Sequence, residues 1–66
     1  MMEPHQQRVV EEKEQLDAKI LKLFNFIQEN SLFASLPVIE QELLTTQLSA
    51  MRVYSDILGM RISAFK

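Results

Sequence analysis

The sequence predicts an all-α fold: a two-helix antiparallel hairpin that assembles into a homo-oligomeric helical bundle. Three observations lead there. Only one glycine and two prolines interrupt the 66 residues, and so few breakers favour long helices. Apolar residues recur at steps of three and four through two long segments, the period of a helix that buries one face. The second segment carries two such stripes, so it calls for two packing partners.

The whole chain, 1–66, reads as one helical hairpin domain, with a helix at about 5–29, a connection at 30–36 and a helix at about 37–65. Pro4 suits a first helical turn, where its missing N–H costs nothing. Val9, Leu16, Ile20, Leu23 and Ile27 then line one face. Lys13 fills the remaining place in that stripe, where it can lay its stem on the core and keep its charge in water. Glu11, Glu12, Glu14 and Asp17 crowd the first half and Lys19 and Lys22 the second, which matches the helix dipole. The acidic run reads as a solvated face. Val10, Leu21 and Phe26 fall off the stripe, and a lone hairpin would leave them in water.

Asn30-Ser31 marks the stop, because Asn tolerates the left-handed conformation that ends many helices. Leu32 to Leu36 forms a short apolar connection, with Phe33 and Leu36 closing the open end of the core. Pro37 fits the first turn of the second helix, with Glu40 and Glu42 near its positive end. So short a linker joins antiparallel neighbours.

The second helix is the informative one. Its first stripe is Leu44, Leu48, Met51, Ser55, Leu58, Ile62 and Phe65; its second is Ile39, Leu43, Thr46, Ala50, Val53, Ile57, Met60 and Ala64. At ~100° per residue the two faces lie roughly 130–150° apart. Small residues let helices approach closely. The second stripe, with Thr46, Ala50 and Ala64, is therefore assigned to a subunit contact and the Leu-rich stripe to the intrachain core. The reverse assignment stays open. Gly59 inside this helix costs roughly 1 kcal/mol against Ala, and a close approach of another backbone or a ligand would account for it.

Composition excludes several function classes. The chain has no cysteine and a single histidine, His5, so disulfides, thiolate metal sites and a Cys nucleophile are ruled out and no zinc site is expected. No serine sits in a nucleophilic motif, neighbouring glutamates point to different sides of a helix, and one glycine cannot make a phosphate loop. The reading is a non-enzyme without cofactor or metal. A net charge of −2 supplies no positive field and argues against nucleic acid or an anionic membrane as partner. No apolar run approaches the ~20 residues of a membrane span, and the polar start lacks a signal peptide's apolar stretch; the expected location is the cytoplasm.

Two polar groups stand out. Gln47, Tyr54 and Arg61 recur every seven residues between the two stripes of the second helix. Arg offers a fork for phosphate or carboxylate, and Tyr can stack on a ring while hydrogen-bonding. Repeated by symmetry, the set could line a small anionic-ligand pocket; equally, it could be a polar seam that fixes helix register. His5, Gln6, Gln7 and Arg8 form the other group. An antiparallel hairpin brings it near Arg61 and Lys66, as a positive patch for an anion or as a solvated terminus.

The run Gln7-Arg8-Val9, Glu12, Leu16, Lys19-Ile20, Lys22-Leu23, Phe26-Ile27, Phe33, Leu36, Glu40-Gln41, Leu44, Gln47, Met51, Tyr54, Ile57-Leu58 and Arg61-Ile62 resembles a family of short proteins of tailed phages and prophages, known chiefly by relation to a crAss-like phage gene product. The resemblance covers nearly the whole chain. It implies an accessory protein acting inside a bacterial cell. By weaker analogy it points to the small helical oligomers that sequester cyclic nucleotide immune signals, the anti-CBASS and anti-Thoeris sponges, although the Gly-Tyr-Arg motif of the sponge hairpin is absent here. Two functions are therefore expected. One is a homo-oligomer, at least a dimer, that captures a cyclic nucleotide through Arg8, Gln47, Tyr54 and Arg61. The other is an interaction module that inhibits a host protein through an exposed helix face.

Overall fold

A computed structural model describes residues 2–65 of the chain. Met1 and Lys66, the latter a member of the positive patch read from the sequence, lie outside the described residues. The fold is all-helical: α1 (Pro4–Glu29), α2 (Ser31–Ser35) and α3 (Val38–Ser63), with no strand among the described residues. Its Cα trace extends 48 × 15 × 14 Å.

Pro4 opens α1, and the amide of Glu3 just before it donates to Gln6 Oε1 at 3.0 Å, which satisfies a donor that the helix start would leave free. The connection expected over 30–36 contains a single helical turn, α2, and Asn30 is the reason. It is extended (φ −98°, ψ 122°), not left-handed. Its amide closes α1 by donating to the Phe26 carbonyl, while its side-chain Oδ1 accepts from the amide of Leu32 at 2.9 Å. A short side-chain carbonyl that bonds two residues ahead is an N-cap, so the chain turns directly into the single helical turn of α2. Leu36 is then extended, as a residue before proline prefers, and Pro37 stands one place outside α3, as its N-cap and not in its first turn. The Pro37 carbonyl accepts from the Gln41 amide at 3.1 Å. Gln41 Nε2 donates to the carbonyls of Leu36 and Ala34 and ties the connection to α3.

α3 ends at Ser63, two residues short of the expected limit, because the Ala64 amide is shared among the carbonyls of Met60, Arg61 and Ile62 in a tightened last turn, a common way for a helix to use its free acceptors.

α1 and α3 pack lengthwise. Lys13 and Asp17 meet Ser55, and the Arg52 guanidinium lies 5.3 Å from the centre of the Phe24 ring, so residue numbers rise along one helix as they fall along the other. The buried side chains are Val9 of α1 and Leu48, Ser55 and Leu58 of α3, with Leu58 fully enclosed at 0% exposure. Leu16, Ile20, Leu23 and Ile27 on α1, and Leu44, Met51 and Ile62 on α3, are half-buried around them. Two residues expected in water are not there. Val10 is half-buried, and so is Phe26, whose ring meets that of Phe33 edge-on, with centroids 6.1 Å apart, a preferred aromatic geometry. Leu21 does stand out, at 60% exposure.

Candidate functional site

The Leu-rich stripe of α3 turns inward, and the other stripe is left without cover. Ile39, Leu43, Thr46, Ala50, Val53, Ile57, Met60 and Ala64 are all exposed. The large apolar side chains among them range from Ile57 at 44% to Met60 at 64%. Scattered apolar residues are ordinary on a surface; a contiguous line of them along a whole helix marks a contact face. This face exists because α3 has apolar residues on two sides and α1 covers only one.

The polar line borders that face. Gln47, Tyr54 and Arg61 are exposed, Tyr54 at 42%. Gln47 Nε2 approaches the Met51 sulfur at 3.9 Å. Arg61 sits in the last turn of α3, where a cation complements the carbonyl end of the helix. Arg8 is exposed on α1. No hydrogen bond or ion pair joins these four among the described residues, and three shallow depressions of the surface lie elsewhere. The single chain therefore presents the candidate ligand residues without enclosing anything.

The polar start of α1 is held largely by its own local contacts. Gln6 caps the helix, Gln7 donates to Glu11 Oε1 at 3.4 Å, and His5 Nδ1 lies 3.5 Å from Glu3 Oε2. Carboxylates are interleaved with the basic groups here, and Arg8 is exposed.

A polar cluster that sequence reasoning missed lies within the α1–α3 interface. Lys13 Nζ donates to Asp17 Oδ2 and to Ser55 Oγ, each at 2.9 Å, and the Ser55 hydroxyl donates to Asp17 Oδ1. The Ser55 bond first, and the Lys13 bond next, hold the Asp17 carboxyl below its usual value of 3.8, since both favour the charged form. The signal was present: Lys13 and Ser55 are the polar members of two otherwise apolar stripes. Their pairing is a long-range fact that periodicity does not carry. The Lys13 stem also passes over Gly59, where an added Cβ would meet Lys13 Cε at 3.4 Å. Within the chain, the close neighbour of this glycine is this flexible side chain.

Among the described residues no group of three or more His, Asp or Glu could hold a metal ion, and no helix is long and apolar enough to cross a membrane.

A family model described as Sequestin matches residues 3–64. The chain is also 42% identical over 62 residues to an uncharacterized 7.5 kDa protein in the denB-rIIB intergenic region of Enterobacteria phage T4, an alignment that covers 94% of this chain and 95% of the phage protein. No solved structure matches.

Proposed function

This chain belongs to the Sequestin family, and from that membership we propose that it is a non-enzymatic phage or prophage accessory protein that sequesters a small anionic signal in a pocket built between copies of itself. The family's name speaks of sequestering, and the T4 relative supports a phage setting. The observation that carries the reading is the uncovered second stripe of α3, with Tyr54 and its polar neighbours along its border. A hairpin of two helices has no interior to offer a ligand; several hairpins packed through that stripe do. The oligomer is the binding unit, acting in the cytoplasm of the host bacterium to oppose a defence signal.

A cyclic nucleotide fits the chemistry of the residues. Tyr54 offers a ring to stack on a base, worth about 1–3 kcal/mol in nucleic-acid systems. Gln47 can hydrogen-bond a base edge, and Arg8 and Arg61 can meet phosphate. Capture is stoichiometric, with no turnover, and a rigid helical oligomer keeps the ordering cost low. Calorimetry against a panel of cyclic di- and trinucleotides tests this. One of them should bind the wild type, and Tyr54→Ala should weaken that binding about tenfold or more. Absence of heat across the panel at micromolar protein would sink the reading.

A second reading has an observation of its own. Leu21 stands exposed on α1, away from the α3 face, and such a residue can dock in a groove of a host protein. Capture of one stoichiometric host protein, lost in Leu21→Asp while nucleotide binding is absent, would favour that inhibitor role.

A further inference from the structure

We propose that two copies of the chain pair α3 against α3, antiparallel, in the one register that sets Ala50 against Val53 of the second copy and Glu40 beside Arg61 of the second copy. The inference rests on the oligomer reading above and gives it an orientation and a register.

The exposed stripe alternates steps of four and three, which makes it a coiled-coil seam with Leu43, Ala50, Ile57 and Ala64 at one core position and Ile39, Thr46, Val53 and Met60 at the other. In an antiparallel pair each position of the first kind faces one of the second, and facing residues keep a constant sum of residue numbers. One alignment uses all eight residues: Ile39 with Ala64, Leu43 with Met60, Thr46 with Ile57, and Ala50 with Val53. A shift by one heptad leaves two of the eight without a partner.

Side-chain volume favours this alignment over a parallel one. Each small residue meets a larger one, so the layers are of similar bulk. A parallel pair would stack Ala50 on Ala50, Thr46 on Thr46 and Ala64 on Ala64, and leave voids that close-packed interiors do not tolerate.

Charge points the same way. The residues that flank the seam on one side are Glu40, Gln47, Tyr54 and Arg61, and all four are exposed. Antiparallel pairing brings this side against itself, so Glu40 comes beside Arg61 of the second copy at both ends, and Gln47 beside Tyr54 of the second copy at the centre. The other flank sets Glu42 against Ser63 and Ser49 against Asp56, with no like charges in contact. A parallel pair could join Asp56 to Arg61, but it would gather Glu40 and Glu42 of both copies at one end. The polar line thereby acquires a structural role. It also narrows the ligand site: Arg61 is engaged by a carboxylate, and the two Tyr54 rings, about 7–8 Å apart along the axis at 1.5 Å per residue, remain at the middle of the flank.

The chain has no cysteine, so single-cysteine variants report register directly. A disulfide needs Cα atoms within about 7 Å, whereas the two copies of position 43 would lie about 25 Å apart along the axis in the antiparallel pair. Oxidation of a mixture of Leu43→Cys and Met60→Cys proteins should give the mixed disulfide dimer as the main product, and Leu43→Cys alone should give none. A disulfide formed by Leu43→Cys alone, in a protein whose mass in solution is that of an oligomer, would overturn the register and leave the oligomer reading intact. A monomeric mass at micromolar wild-type protein would overturn both. Glu40→Arg should weaken association several-fold by setting like charges together, and the double variant Glu40→Arg with Arg61→Glu should recover it. Failure of that recovery would remove the charge pairing.

Discussion

Ser55 shows how one hydroxyl can decide which residues matter. It is a small polar residue in a stripe of leucines, buried where Lys13 and Asp17 reach across from α1. Every polar atom of the trio is answered, and among the described residues no buried side-chain polar atom lacks a partner. The Asp17 carboxyl is held below its usual 3.8 in the folded chain by Ser55 and Lys13. The folded state therefore releases this proton more readily than the unfolded one. The stabilisation is present above about pH 4 and is lost as pH falls through the folded value. Urea unfolding of the wild type and of Asp17→Asn should show the wild type more stable at pH 6, with the gap closing towards pH 3. A gap unchanged over that range would mean that the contact is geometric and not charge-dependent. Side-chain exposure of 47% at Asp17 keeps the effect modest, since water screens such a pair.

At the scale of elements, the all-helical character was legible because it is local: composition and a three-four period decide it, and both are printed in the sequence. What was not legible depended on single side chains. α2 exists because Asn30 uses its amide oxygen as a cap and not its tolerance of left-handed backbone. Phe26 escapes water because Phe33 is placed edge-on to it by that same turn. Gly59 is a third case. No Cβ clash enforces it within the chain, since its close neighbour is the flexible Lys13 stem at 3.4 Å. Gly59→Ala should therefore stabilise α3 by up to about 1 kcal/mol, seen as a rise of several degrees in thermal unfolding. A fall would show that the space above Gly59 is needed by something outside the single chain. Of the candidate site, the sequence disclosed the stripes and the polar line but not that the four proposed ligand residues stay apart in one copy. Enclosure is a property of assembly, which a periodic pattern can suggest and cannot draw.

For the whole molecule, the balance of surfaces is unusual. A 66-residue chain buries little on folding and usually needs disulfides, a metal or a partner subunit to be stable. Here, among the described residues, three apolar side chains are buried, while ten large ones are exposed, Leu43, Val53 and Met60 among them. Folding and association should therefore be linked, and the melting temperature should rise with protein concentration. Thermal scans over a hundredfold range of dilution check this; a midpoint that does not move would argue for a self-sufficient monomer. The 15 × 14 Å cross-section has a further consequence. The chain is about three times as long as it is wide, and among the described residues only Val9, Leu48, Ser55 and Leu58 are buried, so a mutation can hardly touch the core without also touching the skin. A gene encoding such a slender stick evolves its fold and its contacts through the same few codons, which leaves little freedom to change one while sparing the other.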